Sequence, residues 1–374
     1  MKNPKTFFLI YLLFAGQTFA QTYSNKEVGK KNEDIIDSLK NADYPYSLPI
    51  WGKKATQKGF SLPYSAGIST QYVWQKSELV IDNLSVGFNN QPMHNLDEII
   101  RFNKAISEAS VVNLRPDIWL FPFLNVYGIF AYSQPSTTVD FGIWIPDSTG
   151  TSKEIYSYST KANFNARSIG FGLTPTIGIG GGFMALDMNM AWTDVDALDK
   201  PVFTYIFGPR LGKTFKFKKP ERNIAIWVGG FRVKYSSETS GSLALSELIA
   251  DDGTEGSKID DAQQKVFDSQ QQVDAWWNGL TPVQQSNPVN IAKYETANNA
   301  LTAAGNVLNA AGEAVNTISN STVQYSLDKR VKDMWNFVVG TQFQYSKHWQ
   351  LRLEYGFLGS RQQFIGGLQY RFGL

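Results

Sequence analysis

Apolar and polar residues alternate with a period of two along much of the chain. From Trp349 every second residue is apolar (Trp349, Leu351, Leu353, Tyr355, Phe357), with Gln350, Arg352, Glu354 and Gly356 between them. Successive strand side chains point to opposite faces, so this spacing predicts a strand with one apolar and one polar face. The last segment repeats it, with Phe364, Leu368, Tyr370, Phe372 and Leu374 opposite Gly367, Gln369 and Arg371. Phe337, Val339, Thr341, Phe343 and Tyr345 oppose Gly340, Gln342 and Gln344. Trp227, Phe231, Val233 and Tyr235 are read as one face and Arg232 and Lys234 as the other; Phe203, Tyr205, Phe207, Leu211 and Phe215 oppose Thr204, Arg210 and Thr214. Met184, Leu186, Met188, Met190 and Trp192 oppose Asp187 and Asn189, and Ile169, Phe171 and Leu173 oppose small residues. Leu114, Ile118 and Leu120 oppose Asn113, Arg115 and Asp117, and two further strands fit residues 62–86 and 124–132.

The census gives ten strands. A hairpin hidden at Gln75-Lys76-Ser77, with one more missed strand, would make twelve. The apolar positions are unusually aromatic, and Trp, Tyr and Phe collect near the strand ends. That pattern fits a lipid-facing band between interfacial girdles better than the inner face of a soluble sandwich. The expected fold is all-β, a transmembrane antiparallel up-and-down barrel, and no stretch after Ala20 approaches the roughly 20 apolar residues of a membrane helix.

Residues 1–20 read as a cleaved secretory leader: Lys2 and Lys5, an apolar run from Phe7, and Thr18-Phe19-Ala20 as a small-x-small cleavage site. Residues 21–60 are expected to form a periplasmic arm or a plug, 61–238 the first barrel strands, 239–323 an extracellular insertion, and 324–374 the closing strands. Orientation follows from the short connections, which in such barrels lie on the periplasmic side with both termini. Residues 89–110, 134–161 and 236–322 are read as the longer outer connections, the first holding a short amphipathic helix with Leu96, Ile99, Ile100 and Ala105 on one side. In the third, Val266, Val273 and Leu280 recur at seven residues, as do Leu301, Leu308 and Val315, with Ala304, Ala311 and Ile318 between. Gly279, Pro282 and Pro288 separate the two runs, so an antiparallel helical hairpin with a small-residue seam is predicted. It either caps the barrel mouth or binds a partner. Adjacent Trp276 and Trp277 cannot both enter the seam and are candidate contacts for a ligand or protein partner of residues 240–322.

The leader, the alternating aromatic strands and the closing Leu368-Gln369-Tyr370-Arg371-Phe372-Gly373-Leu374 resemble a Gram-negative outer-membrane β-barrel protein. The resemblance is architectural and names no subfamily. It implies outer-membrane lipid as surroundings and the barrel-assembly machinery as a partner in biogenesis, although Gly373 and Leu374 follow the last aromatic residue.

Charge and composition narrow the chemistry. Lys and Arg number 35; without Lys2 and Lys5 they are 33, against 33 Asp and Glu. A balanced chain lacks the basic surface that nucleic acid requires. The absence of cysteine removes disulfides, thiolate metal sites and a thiol nucleophile. Arg115, Asp117, Asp187, Arg210, Arg232, Lys234, Arg352, Glu354 and Arg371 are assigned to the lumen, where they form either an ion-pair filling or a narrow pathway with an anion bias. For a hydrolase the only bases are His94 and His348; His94, near Asp97, Glu98 and Ser107, lacks a nucleophile elbow, and His348 is read as an interfacial anchor. Gly208 to Thr214 is one residue short of a P-loop, and Gly180-Gly181-Gly182 precedes a strand, where a dinucleotide fingerprint needs a helix. Asp194, Asp196 and Asp199 offer oxygens to calcium but complete no loop motif. The expectation is an outer-membrane barrel with a surface binding or solute-handling role and no cofactor. A narrow diffusion channel with weak anion preference and a lipid or peptide hydrolase are the alternatives.

Overall fold

The computed structural model describes residues 37, 38, 40, 41 and 43–374, except 147–150, 180, 181, 220, 236, 237 and 250–252. The leader and most of the arm's first half lie outside the described residues. Fourteen strands follow a short helix, α1 (Gly52–Gln57): β1 (Ala66–Phe88), β2 (His94–Asn95), β3 (Ile100–Phe121), β4 (Leu124–Pro146), β5 (Ser152–Asn163), β6 (Ala166–Ile179), β7 (Gly182–Val195), β8 (Val202–Lys216), β9 (Asn223–Tyr235), β10 (Glu238–Ala244), β11 (Thr322–Val331), β12 (Trp335–Gln344), β13 (Trp349–Phe357) and β14 (Arg361–Phe372). Between β10 and β11 lie α2 (Leu245–Leu248), α3 (Thr254–Asn278), α4 (Pro282–Gln285) and α5 (Pro288–Val315).

Ten strands close the ring in the order β1-β14-β13-β12-β9-β8-β7-β6-β4-β3, and β3 returns to β1 from Ala66↔Ile118 to Glu78↔Ile106. Every neighbouring pair is antiparallel, so no edge of the barrel is left open. Ala66–Phe88 is one strand with no hairpin at Gln75-Lys76-Ser77, which leaves the count at ten. Outside, Ile68, Tyr72, Val112, Leu114, Phe130, Ile169, Phe171, Trp192, Leu211, Leu351, Leu353, Tyr355 and Leu368 form an exposed apolar belt. An exposed belt of this size on every side has no counterpart on a water-soluble monomer and fits hydrocarbon.

At one end the connections are short. At the other the wall continues as a second tier built from the outer halves of β1, β3 and β4 with β2, β5, β10 and β11. Beyond Ser77↔Arg361, β1 leaves β14 and pairs with β11 from Leu79↔Val331 to Phe88↔Val323. β5 pairs only with the outer part of β4, from Ser136↔Asn163 to Pro146↔Ser152. Two segments read as loops are therefore strand. Residues 100–110 extend β3 where a helix was expected, and residues 134–146 extend β4. A bulge between Phe102 and Lys104 shifts the β3 register, and such an extra residue breaks the period of two that the sequence reading depended on.

The helical hairpin lies on the inner face of this tier. Ile143 and Ile145 share a face of β4 with the lumen-lining Tyr127, and they form one buried cluster with Leu84, Ile99 and Ile155 of the wall and Ile259, Ala262, Val273, Ala300, Leu301, Ala304 and Leu308 of the helices. Ala262 and Ala304 are fully buried, which lets α3 and α5 approach closely. Local chemistry sets the turn between them. Thr281 and Gln284 cap α4 reciprocally, Asn287 caps α5, and Pro282 and Pro288 occupy first-turn positions where no N–H is needed.

At the short-turn end, residues 43–65 run beneath the barrel. The N–H groups of Ser47 and Leu48 donate to the Leu374 carbonyl (2.9 and 3.3 Å), and Ile50 N–H donates to Leu120 O (2.9 Å). Leu374 N–H donates to Ser65 Oγ at 2.8 Å, so the arm fastens the last strand to the first. Tyr46, Tyr64, His348 and Tyr370 continue the contact as a chain of rings.

Candidate functional site

The lumen is the most densely functionalised part of the molecule. Its side chains come from alternate positions of strands whose other face is apolar, which is why arginines and carboxylates are tolerated there. Arg210 on β8 grips Glu354 on β13 with two parallel bonds, Nε to Oε2 and Nη2 to Oε1, each 2.9 Å. Its remaining arm reaches Asp187 on β7. Glu354 also accepts from Trp227 Nε1 at 2.9 Å and from Arg352 Nη2 at 3.2 Å. Arg352 stands 3.7 Å from Asp187 and 5.0 Å from the centre of the Trp227 ring. Thr174 donates to Asp187 at 2.6 Å.

A second group sits nearer the short-turn end. Arg371 pairs with Asp117 at 2.9 Å and donates from Nε to Tyr64 O at 3.0 Å. Asp117 also accepts from Asn125 (2.8 Å) and Gln369 (2.7 Å). Arg115 lies between the two groups. Its guanidinium donates to Asn189 Oδ1 (2.7 Å) and Gln71 Oε1 (3.2 Å) and covers the Tyr127 ring at 4.1 Å. Tyr127 O–H also donates to Asn189, at 3.0 Å. The polar contacts thus cross the lumen from β3 through β7 and β8 to β13.

Seven of the nine charges assigned to the lumen meet there: Arg115, Asp117, Asp187, Arg210, Arg352, Glu354 and Arg371. Arg232 and Lys234 do not. On β9 the buried residues are Ala225, Trp227, Phe231 and Val233, while Ile226 and Val228 are exposed. Arg232 and Lys234 are exposed with them, Arg232 donating to Met334 Sδ at 3.6 Å. The strand's phase is the reverse of the sequence reading, because above the charged layer the lumen is filled by Phe231, Val233 and Val338. Trp227 was read as lipid-facing and is instead a fully buried partner of Glu354; the alternation Ile224, Ile226, Val228 carried the correct phase.

Two glycines make the layer possible by close approach. Gly340 is paired with Trp227 and Gly172 with Tyr127. A Cβ on either would collide with the ring of its partner, so each ring lies flat against bare backbone of the next strand.

Below the charged layer a polar cavity of about 160 Å³ extends to the short-turn end, where Ser61, Leu62 and Pro63 of the arm line it. Gln71, Gln342, Gln350 and Gln369 supply amides to its wall, Arg115, Arg352, Arg371, Lys216 and Lys347 cations, and Asp117, Asp187 and Glu221 carboxylates.

The other candidates are dispersed. His94 pairs with Val86 and Ser107 with Ser77 along β1, which separates them by roughly 30 Å of strand. His348 lies in the ring chain at the short-turn end, its Nδ1 2.8 Å from Arg371 O. Among the described residues no three His, Cys, Asp or Glu side chains gather as a metal site, and Asp199 accepts from Ser240. At the hairpin tip Trp277 stacks on Tyr294 with centroids 4.5 Å apart, and Trp276 sits beside it, half-buried. Val283 and Val289 next to them are exposed.

No family model and no curated protein matches the sequence. Among solved structures the chain is similar to the COG4313 outer membrane channel of Pseudomonas putida F1, at 10% identity and a TM-score of 0.26 over 83% of this chain and 96% of that one. It is similar to the translocator domain of the autotransporter NalP of Neisseria meningitidis at 8% identity and 0.32, covering 92% and 94%. LpxR of Salmonella typhimurium matches at 9% and 0.25, covering 82% and 100%.

Proposed function

We propose that the protein is an integral outer-membrane barrel whose sealed lumen serves as a rigid mount and whose helical hairpin is a binding surface on the cell exterior. The observation that carries this reading is the Asp187–Arg210–Glu354–Arg352 cluster, which joins the neighbouring strands β7 and β8 to β13 through the barrel interior. A ring of ten strands is near the size that its own side chains fill, whereas water-filled channels use sixteen or more. Nothing passes a bidentate, buried Arg–Glu pair without breaking it. The hairpin, by contrast, is long, packs against the wall strands along its length, and ends in Trp276, Trp277, Val283 and Val289.

Conductance in a planar bilayer tests the seal. The refolded full-length protein is expected to give no unitary steps at moderate voltage, and steady steps would replace this reading with that of a narrow channel. For the hairpin, Trp276→Ala with Val283→Ser is expected to weaken attachment of whole cells to their native surface partner while heat-shifted gel migration stays unchanged. Unchanged attachment would remove the tip from the binding surface.

A further inference from the structure

Arg115 is a cation inside the barrel whose hydrogen-bond partners are neutral. Asn189 and Gln71 accept hydrogen bonds from its two terminal nitrogens and Tyr127 lies against its face, but among the described residues no carboxylate pairs with it. Arg210, Arg352 and Arg371 each have an acidic partner. Arg115 is half-buried and faces the cavity below the charged layer, whose wall carries five cations against three carboxylates. Arg371, on the same wall, has its Nη2 buried without an acceptor after Nη1 and Nε are used. The same end of the barrel carries Lys218 and Lys219 in the β8–β9 turn and Lys53 and Lys54 in α1. Among the described residues, Glu221 of the wall and Asp43 of the arm are acids at that end.

The charge excess is placed where an ion can reach it. The cavity's lining runs from Asp187 and Arg352 in the charged layer to Ser61, Leu62, Pro63, Glu221 and Lys347 at the short-turn end, so an ion would enter past the arm. Its amides, Gln342, Gln350 and Gln344, are already linked in series (2.9 and 3.1 Å), which holds their remaining donors in fixed directions. Cations with fixed amide donors in a confined polar space favour oxyanions, because charge-assisted bonds there are stronger than in open water.

We propose that this cavity binds a small oxyanion from the periplasmic side, a carboxylate or a phosphate, held mainly by Arg115. The proposal is independent of the hairpin's role; it uses the proposed orientation only to name the compartment.

Titration calorimetry of the folded full-length protein in detergent tests it, with citrate and inorganic phosphate as probes and glucose as a neutral control. Citrate or phosphate is expected to bind with an affinity that falls as salt rises, glucose not at all, and the tighter of the two anions identifies the source. Arg115→Gln is expected to weaken binding at least tenfold and Arg115→Lys to restore part of it. Because Arg115→Gln disturbs a buried network, the exposed pair Lys216→Gln with Lys347→Gln is the second arm and should cost several-fold. No heat with either anion, binding equal to that of glucose, or unchanged affinity in both variants would overturn the proposal.

Discussion

Glu354 shows how much of the lumen rests on one carboxylate. It is 2% exposed and accepts from Arg210, Arg352 and Trp227. Replacing it with Ala removes the acceptor of the Trp227 N–H and leaves the two guanidinium groups facing each other with Asp187 as their shared carboxylate. Removing one partner of a buried pair costs about 3–5 kcal/mol, so Glu354→Ala should lower the urea midpoint of refolding into liposomes far more than Glu354→Gln, which keeps shape and one acceptor. Equal effects of the two substitutions would mean that space filling, and not charge, holds the layer. The residues themselves were legible: Arg210, Arg352 and Glu354 stand opposite apolar neighbours in strict alternation. Their partners were not, because alternation fixes the face of a side chain and says nothing about which strand lies across the ring. Arg232 and Lys234 failed for a related reason. Where the lumen is lined by Phe231 and Val233, both faces of β9 are apolar in part, and charge alone suggested the wrong side.

At the scale of elements, the strands were legible wherever one face meets lipid and the other the lumen, and they blurred where that contrast ends. In the outer tier β3 carries a bulge, and just before it Leu96, Ile99 and Ile100 share one helical turn, in which the N–H groups of Ile99 and Ile100 both donate to Leu96 O, so the stripe was real but one turn long. The hairpin was legible from its heptads because α3 and α5 bury them against each other, and its docking face was not, because Leu308 serves both the seam and the wall cluster. Leu308→Ala should therefore cost about 2–5 kcal/mol of hairpin docking and is expected to open the insertion to limited proteolysis while the barrel stays protease-resistant. Two tyrosines outside the membrane belt make the peripheral elements sensitive to alkali. Burial, reinforced by Tyr46, pushes Tyr44 up to about 12 from an ordinary value of 10, and burial beside Asp199 does the same to Tyr325. Tyr44 donates to Leu48 O (2.6 Å) in the arm, and Tyr325 donates to Ala197 O (3.1 Å) across the outer tier. A raised folded pKa means that the unfolded chain releases its proton first, so the stabilisation is complete below pH 10 and is lost as pH rises towards 12. Proteolysis of the arm and of β11 is expected to accelerate across that window, with Tyr44→Phe removing the arm's share; a flat profile would contradict this.

The whole molecule is two stacked devices with one wall in common, a closed ten-strand ring in the apolar belt and a helix-lined tier above it. The chain returns between them at a convenient place. Leu245 N–H donates to Ser321 O at 2.8 Å, and Ala244 pairs with Thr322, so β10 and β11 already approach as a hairpin. Replacing residues 246–320 with Asn-Gly would close that hairpin through a two-residue turn whose twist matches the strands. If the seal lies in the ring, the shortened protein should still show heat-shifted migration and still be silent in a planar bilayer, while losing all attachment through the hairpin. It should also bind apolar dye strongly, because Leu84, Ile143, Ile145 and Ile155 lose their cover. Conductance that appears only after the deletion would move the seal from Arg210 and Glu354 to the helices and make the insertion a plug. Adding Arg210→Ala and Glu354→Ala to the shortened chain then separates the two devices: steps that require both changes together would place one barrier in each tier.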